Sequence, residues 1–429
     1  MKRPLIIGLL VVALLFVLAG ISAVAFFAIR RSDFAIFDVP LVSATAEESK
    51  ILEVDAENPV TLKVDDDAGD VSVLGRDVEA VEIRIVKTGY ATTQARAEEA
   101  LENIHVEVRQ NGNAITLIYK LSGRQTHEVN TVDLIVTVPT ETAVEIDNGF
   151  GTIDVSDLKG NVDISSDFGD VTVTNIEGAL ALDNSSGTIK INGVDAGAQD
   201  VKIEADFGSI SLDKVNGRDI TVNSSSGTLD LADVRATGNL SAGSDFGSII
   251  FENGSAASVT VDSSSGRVAL TKVTLRGTLI ITCGFGDIEL NQVSAGSYDL
   301  DSNSGAITMD SAKNKIKAHT DFGTITVENA QNATLDLRTN SGGIEFSGSL
   351  GEGPHSLHSD FGSIDIAIPA DSALNVDLDT DFGSISSDIP ITVTLDGSQE
   401  NQQEGTMNGG GAELTVKTRN GSISITAIK

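Results

Sequence analysis

The chain has no tryptophan, three tyrosines and one cysteine among 429 residues. A lone cysteine, Cys283, excludes an intrachain disulfide, and it does not fix the compartment, because disulfide-free proteins occur on both sides of a membrane. Its place just before a turn suggests buried packing. The aromatic shortage leaves little material for the exposed platforms on which sugar-binding sites often rely. Basic residues are scarce: 29 against 62 acids, a net charge of −33. Nucleic acid and anionic headgroups are therefore poor partners for the body of the protein, and cations or a neutral or basic partner fit better. An acidic surface is also simply a soluble one.

Glycine is plentiful instead, and it recurs in order. Asp-Phe-Gly appears with Asp167, Phe168 and Gly169, with Asp206, Phe207 and Gly208, and with Asp245, Phe246 and Gly247. It returns at Asp321 and Gly323, at Asp360 and Gly362, and at Asp381 and Gly383. Between these copies stand Ser-Gly versions at Gly187, Gly227, Gly266, Gly305 and Gly342, while Gly286 follows Phe285 without the aspartate. From Gly151 to Gly383 the spacing runs 18, 18, 21, 19, 20, 19, 20, 19, 18, 19, 20 and 21 residues. A period near twenty marks a repeat architecture.

The second and fourth residues after each glycine are apolar, as in Val171/Val173, Ile210/Leu212 and Leu229/Leu231. A second alternating run precedes each glycine, as in Val201-Lys202-Ile203. Each repeat thus reads as two short strands joined at a glycine corner. One such unit cannot bury its apolar face alone, but a stack can. The expected fold is all-β: a parallel β-solenoid, or β-helix, of 19–20-residue coils. A 39-residue coil with two glycine corners is the competing geometry. The residue before the glycine alternates Phe and Ser. In the shorter coil this predicts Phe207 over Ser186 and Ser226 inside the stack, as large-small interior packing.

Residues 1–31 read as a transmembrane anchor with basic flanks. Leu5 to Ile29 carries no charged side chain, and as a helix would span ~37 Å, enough to cross a bilayer core. Lys2 and Arg3 precede it, and Arg30 and Arg31 follow. Cleavage after Ala23-Val24-Ala25 is the alternative. No cysteine stands near residue 20 for lipid attachment. Residues 32–55 read as a linker, and 56–147 as a small mixed α/β cap with one helix around Thr93–Ile104. Residues 148–429 are the solenoid, with a mobile loop at 396–411 and a closing coil from Leu414 to Ile425.

The pieces Gly69-Asp70-Val71-Ser72-Val73, Ala97–Ile104 and Val132–Pro139, with the repeated Gly-x-Ile-x-Val/Ile strands, resemble the bacterial putative-adhesin family. The resemblance implies a membrane-anchored β-solenoid of the cell envelope, single-pass, with the bulk of the chain extracytoplasmic. It brings no established ligand or catalytic residue. It also implies a regulatory alternative, since some relatives accompany envelope-stress signalling genes.

Catalytic signals are poor. Asp-Phe-Gly matches a kinase metal-binding triplet, but here it is repeated at corners with no nucleotide loop. His355 and His358 lie three apart, which on a strand points them to opposite faces. Asp154, Asp163 and Asp170 are candidates for the acid pair of a β-helix polysaccharide lyase or hydrolase only because acids abound. The corner aspartates Asp167, Asp206, Asp245, Asp321, Asp360 and Asp381 would stack along one edge. Two coil spacings, ~10 Å, separate them, too far to share one calcium ion. Capping of their own turns is the expected role. The expectation is a membrane-tethered binding, adhesion or scaffold protein without catalytic residues, cofactor or metal. Its partner would be an envelope protein or polysaccharide, not nucleic acid.

Overall fold

A computed structural model describes residues 41–428 except 56–57, 122–129 and 394–400. The anchor expected at 5–29 lies outside the described residues, and no described helix is long and apolar enough to cross a membrane. What is described is a parallel β-solenoid with one short helix.

Each coil is built around its glycine corner. In the strand before the corner, Val201 and Ile203 point inward and are fully buried; after it, Ile210, Leu212 and Val215 do the same. Burying one such side chain contributes ~1.5–3 kcal/mol, and most coils repeat the set; after Gly383, Ser387 stands in the fourth position instead. Successive strands pair in parallel, with Ser186 beside Phe207 and Phe207 beside Ser226. The Gly208 N–H donates to Ser226 O at 2.8 Å, and the Gly187 N–H to Phe207 O at 3.0 Å. Gly208 therefore neighbours Gly227, and the 39-residue coil is eliminated.

The corner needs glycine for two reasons. Gly208 and Gly227 adopt φ of +145° and +147°, a region closed to L side chains. A Cβ on Gly208 would also stand 1.8 Å from Gly187 O. Beyond the second strand comes another corner, which the sequence pattern does not reveal. There a residue in left-handed conformation recurs coil after coil, at Asn175, Lys214, Asp233 and Asn253 (φ 52–55°). It turns the chain into a short third side, where Val194, Val215 and Val234 complete the core.

The ends do not follow chain order. At the N-terminal end the strands stack as Ala114–Tyr119, Val60–Asp66, then Thr142–Phe150. The region expected to be a separate cap at 56–147 thus supplies solenoid rungs. The capping pieces are antiparallel: Val106–Asn111 covers Ala114–Tyr119, and Ala80–Ala91 joins Thr131–Pro139. The expected linker at 32–55 also needs correction, because Val42–Glu53 is a strand paired along Ala80–Ala91. Helix α1, Gln94–Glu102, starts at an N-cap whose Thr93 hydroxyl accepts from Arg96 N. It packs Ala97 against Ala44 and Ala91. Gly89 permits the approach: a Cβ there would meet Ala97 O at 2.6 Å.

At the other end, Ala412–Asn420 inserts between His355–Phe361 and Leu374–Phe382. The expected closing coil is an interior one, and Gly421 intervenes between Gly362 and Gly383. The expected loop at 396–411 contains the strand Gln402–Met407, which lies antiparallel on Leu374–Phe382 and caps the stack. Its own outer edge is shielded by Ile391–Val393. Such caps cover the edge groups that a stack leaves open.

Candidate binding face

The inner side of the corner is occupied by a row of small polar residues two positions before each phenylalanine or serine. Ser224, Thr320, Thr339, Ser359 and Thr418 are buried there. Their hydroxyls donate to the corner glycine carbonyls of the adjacent coil: Thr320 to Gly305 O at 3.0 Å, Ser359 to Gly342 O at 2.9 Å, Thr418 to Gly362 O at 2.8 Å. Asn184 does the same to Gly169 O at 3.1 Å. Cys283 occupies this row, buried as expected, with its sulfur 3.5 Å from Gly266 O. Burial holds its thiol above the usual range, so it is a packing residue, not a reactive one.

Because this row closes onto the glycine carbonyls, the phenylalanines have no interior to enter. Phe207 is 57% exposed, Phe246 67% and Phe382 75%; Phe168, Phe285, Phe322 and Phe361 are exposed as well. The expectation of interior large-small packing is therefore wrong, although the expected register is right. The rings form an external row on alternate coils, ~10 Å apart, with a serine between neighbours except for Asn420 between Phe361 and Phe382. Only at the start do consecutive coils both carry rings. There Phe150 and Phe168 stack with centroids 5.1 Å apart and planes 6° from parallel, a favourable aromatic arrangement.

The corner aspartates run beside this row. They do not cap their own turns in the manner expected. Asp245 accepts from the Ser264 hydroxyl of the next coil at 3.4 Å, and Asp321 from the Asn340 amide at 2.6 Å. Backbone capping belongs to aspartates just after the glycine: Asp170 accepts from Thr188 N and Asp287 from Ala306 N, both at 2.8 Å. The Asp/Ser alternation thus ties neighbouring coils by side-chain bonds.

Next to the corner aspartates, the outer face of the same sheet holds an open groove of ≈ 560 Å³. It exists because Gly243 interrupts a row otherwise carrying Asp183, Glu204, Asn223 and Asp262. Further along, that row changes sign and carries His319, Arg338, His358 and Lys417.

Of the sequence candidates for catalysis, Asp154 lies in the strand after a corner and Asp163 in the one before the next, on separate sheets. Asp170 is engaged in its backbone cap. His355 is buried, bonded to Leu335 N and Gly351 O, and burial holds its pKa low; His358 faces outward, 3.3 Å from Asp360. Among the described residues no three His, Cys, Asp or Glu side chains converge as a metal site.

The Toastrack DUF4097 family model matches this solenoid twice, over residues 76–252 and 250–426. The chain belongs to the Toastrack DUF4097 family. The Toastrack chain is similar to two solved structures. One is a putative cell adhesion protein from Clostridium sporogenes ATCC 15579, at 9% identity and TM-score 0.17, covering 90% of this chain and 100% of that one. The other is a putative adhesin from Bacteroides fragilis NCTC 9343, at 16% identity and TM-score 0.24, covering 66% of this chain and 97% of that one. No curated protein matches the Toastrack chain.

Proposed function

We propose that this Toastrack chain is a membrane-anchored, extracytoplasmic binding or adhesion protein of the cell envelope, acting by contact and not by catalysis. The uncharged run at Leu5–Ile29 supports the anchor, and the adhesin names of similar structures agree with an adhesive role. One observation carries the reading of the surface: phenylalanines exposed on alternate coils along one edge. A soluble protein seldom leaves large rings in a regular exposed row without a partner. The adjoining Asp, Ser and Asn side chains give that row a polar rim, the anatomy of a contact surface.

The test is binding of intact cells bearing the protein to isolated envelope material. Wild type is compared with a variant carrying Phe207→Ser, Phe246→Ser and Phe285→Ser. Binding lost in the variant, with unchanged surface exposure by protease digestion, supports the proposal. Unchanged binding removes the phenylalanine row from the function. Full protection from protease in cells with an accessible surface removes the topology.

A further inference from the structure

The outer face of the sheet before the corner is complementary to itself under a single twofold axis. Two such faces can pack with solenoid axes antiparallel, about a twofold lying in the interface. Each outward row then meets the same row of the other copy with the order of coils reversed. Let the axis pass between the coils of Asp262 and Thr282, which are hydrogen-bonded neighbours. The consequences follow from the register alone.

Coils of odd and even rank exchange, so from Phe168 to Asn420 every phenylalanine meets a serine or an asparagine, and rings face each other only at the ends, Phe150 with Phe382. Phe246 falls opposite Ser304, Phe285 opposite Ser265 and Phe322 opposite Ser226. The 5.1 Å stack of Phe150 on Phe168 shows that this row accommodates rings on adjacent coils. A second copy would supply the rings missing at alternate positions. The corner aspartates obey the same parity: Asp245 meets Asn303, and Asp167 meets Arg419.

The charged rows agree with the same axis. Glu204 meets Arg338 and Lys202 meets Asp336, so a Lys202–Glu204 pair already 2.8 Å apart joins a cluster of alternating sign. Asp183 meets His358. The coils nearest the axis are acidic, but each of their aspartates falls opposite an uncharged residue: Asp262 meets Thr282, Asp245 meets Asn303, Asp299 meets Ser241 and Asp301 meets Gly243. Like charges oppose only on the outermost coils, Glu145 with Asp377 and Asp147 with Asp379. There Lys63 lies 2.5 Å from Glu145 and Lys417 3.2 Å from Asp377. The twelve coils from Phe168 to Asn420 span ~53 Å along the solenoid, and the seven-residue strands ~20 Å across it. That offers roughly 1,000 Å² per partner, above the ~800 Å² of a standard interface.

We infer that the partner of this face is a second copy of the chain, bound antiparallel. The inference rests on reading the face as a contact surface. It places the two N-terminal ends at opposite ends of the pair. With the proposed anchors, the pair would join chains rooted in facing membranes.

The test is sedimentation equilibrium of the full chain in detergent micelles, with charge reversals. Glu204 and Arg338 are seven coil spacings apart in one chain, ~34 Å, and cannot compensate each other within it. Wild type should dimerise. Glu204→Arg alone and Arg338→Glu alone should each weaken the dimer about tenfold or more. The double reversal should restore it, because each changed residue meets the other across the interface. A separate variant, Ser226→Phe with Ser265→Phe, fills the gaps in the ring row. It should abolish the specific dimer, although it adds apolar surface. A monomeric wild type, or a double reversal as weak as the singles, overturns the inference. Envelope binding by a chain that stays monomeric would leave the proposed function standing and remove only this partner.

Discussion

Replacing Gly227 by alanine tests the physical basis of the coil. Gly227 sits at φ +147°, where an L side chain strains the backbone, at a cost of ~1–3 kcal/mol. The new Cβ would lie 2.1 Å from Gly208 O, whereas ordinary contact begins near ~3.5 Å. The coils must part locally. That pulls on two hydrogen bonds, Gly227 N–H to Phe246 O at 2.9 Å and Gly208 N–H to Ser226 O at 2.8 Å, each worth ~1 kcal/mol. The total is ~3–5 kcal/mol. Gly112→Ala is the control. It too has positive φ, +59°, but no atom within 4 Å of the added methyl, so its cost is ~1–2 kcal/mol of backbone strain. Urea denaturation of both variants and wild type measures the difference. Hydrogen exchange should also show the Leu229 and Ile210 amides opening earlier in Gly227→Ala. If Gly227→Ala costs no more than Gly112→Ala, the close stacking of corners is not what demands glycine.

Thr320→Val removes the hydroxyl that satisfies Gly305 O at nearly constant shape, and should cost ~1–2 kcal/mol by thermal denaturation. Ser166→Ala, in the same row but with no partner for its hydroxyl, should be neutral or stabilising. Phe207→Ala should cost under ~1 kcal/mol because the ring is outside, whereas Phe251→Ala, fully buried, should cost ~3–5 kcal/mol; equal losses would contradict the placement of the rings. Asp66 is buried with one carboxylate oxygen unpaired, and burial pushes its pKa up to about 8. The folded state therefore holds a proton that the unfolded state releases near pH 4, so stability falls as pH rises from about 4 to about 8. Asp66→Asn should flatten that part of the stability–pH curve and raise stability at pH 8 by ~1–3 kcal/mol; an unchanged slope would mean Asp66 is ionised in the fold.

The candidate site was partly legible before the fold. Asp167, Asp206 and Phe207 stood out because they recur, and recurrence placed them correctly on one edge. What they do was misread. Period-two alternation carries Val201, Ile203 and Ala205 inward, and continuing it would carry Phe207 inward as well. The corner bend breaks the alternation there, and the buried Ser/Thr row already fills the space beneath the glycine carbonyls. The cluster of carboxylates around Gly243 was invisible for another reason. Its members come from coils about twenty residues apart, and a single missing side chain makes the groove.

The sequence alone determined that the chain coils and favoured the twenty-residue register; the pairing of Gly208 with Gly227 then decided the coil length against the 39-residue alternative. Coil and register depend on requirements repeated along the stack: a glycine where a Cβ would strike the neighbouring coil, and apolar residues at the second and fourth positions after it. Such requirements are local and need no knowledge of the rest of the chain. Only the tertiary structure decided where the repetition stops. Ala412–Asn420 returns to lie between two earlier coils, and Val60–Asp66 enters the stack beside Thr142–Phe150. Parallel strands of equal length and similar apolar pattern can pair in several orders, so the repeat itself does not choose among them. The second corner was hidden likewise, because Asn, Asp, Lys and Gln all serve there once the packed sides force the turn. The side on which the phenylalanines emerge, and the sign of each outward row, exist only after the coils are stacked, because each is a property of neighbours that the chain does not place next to one another.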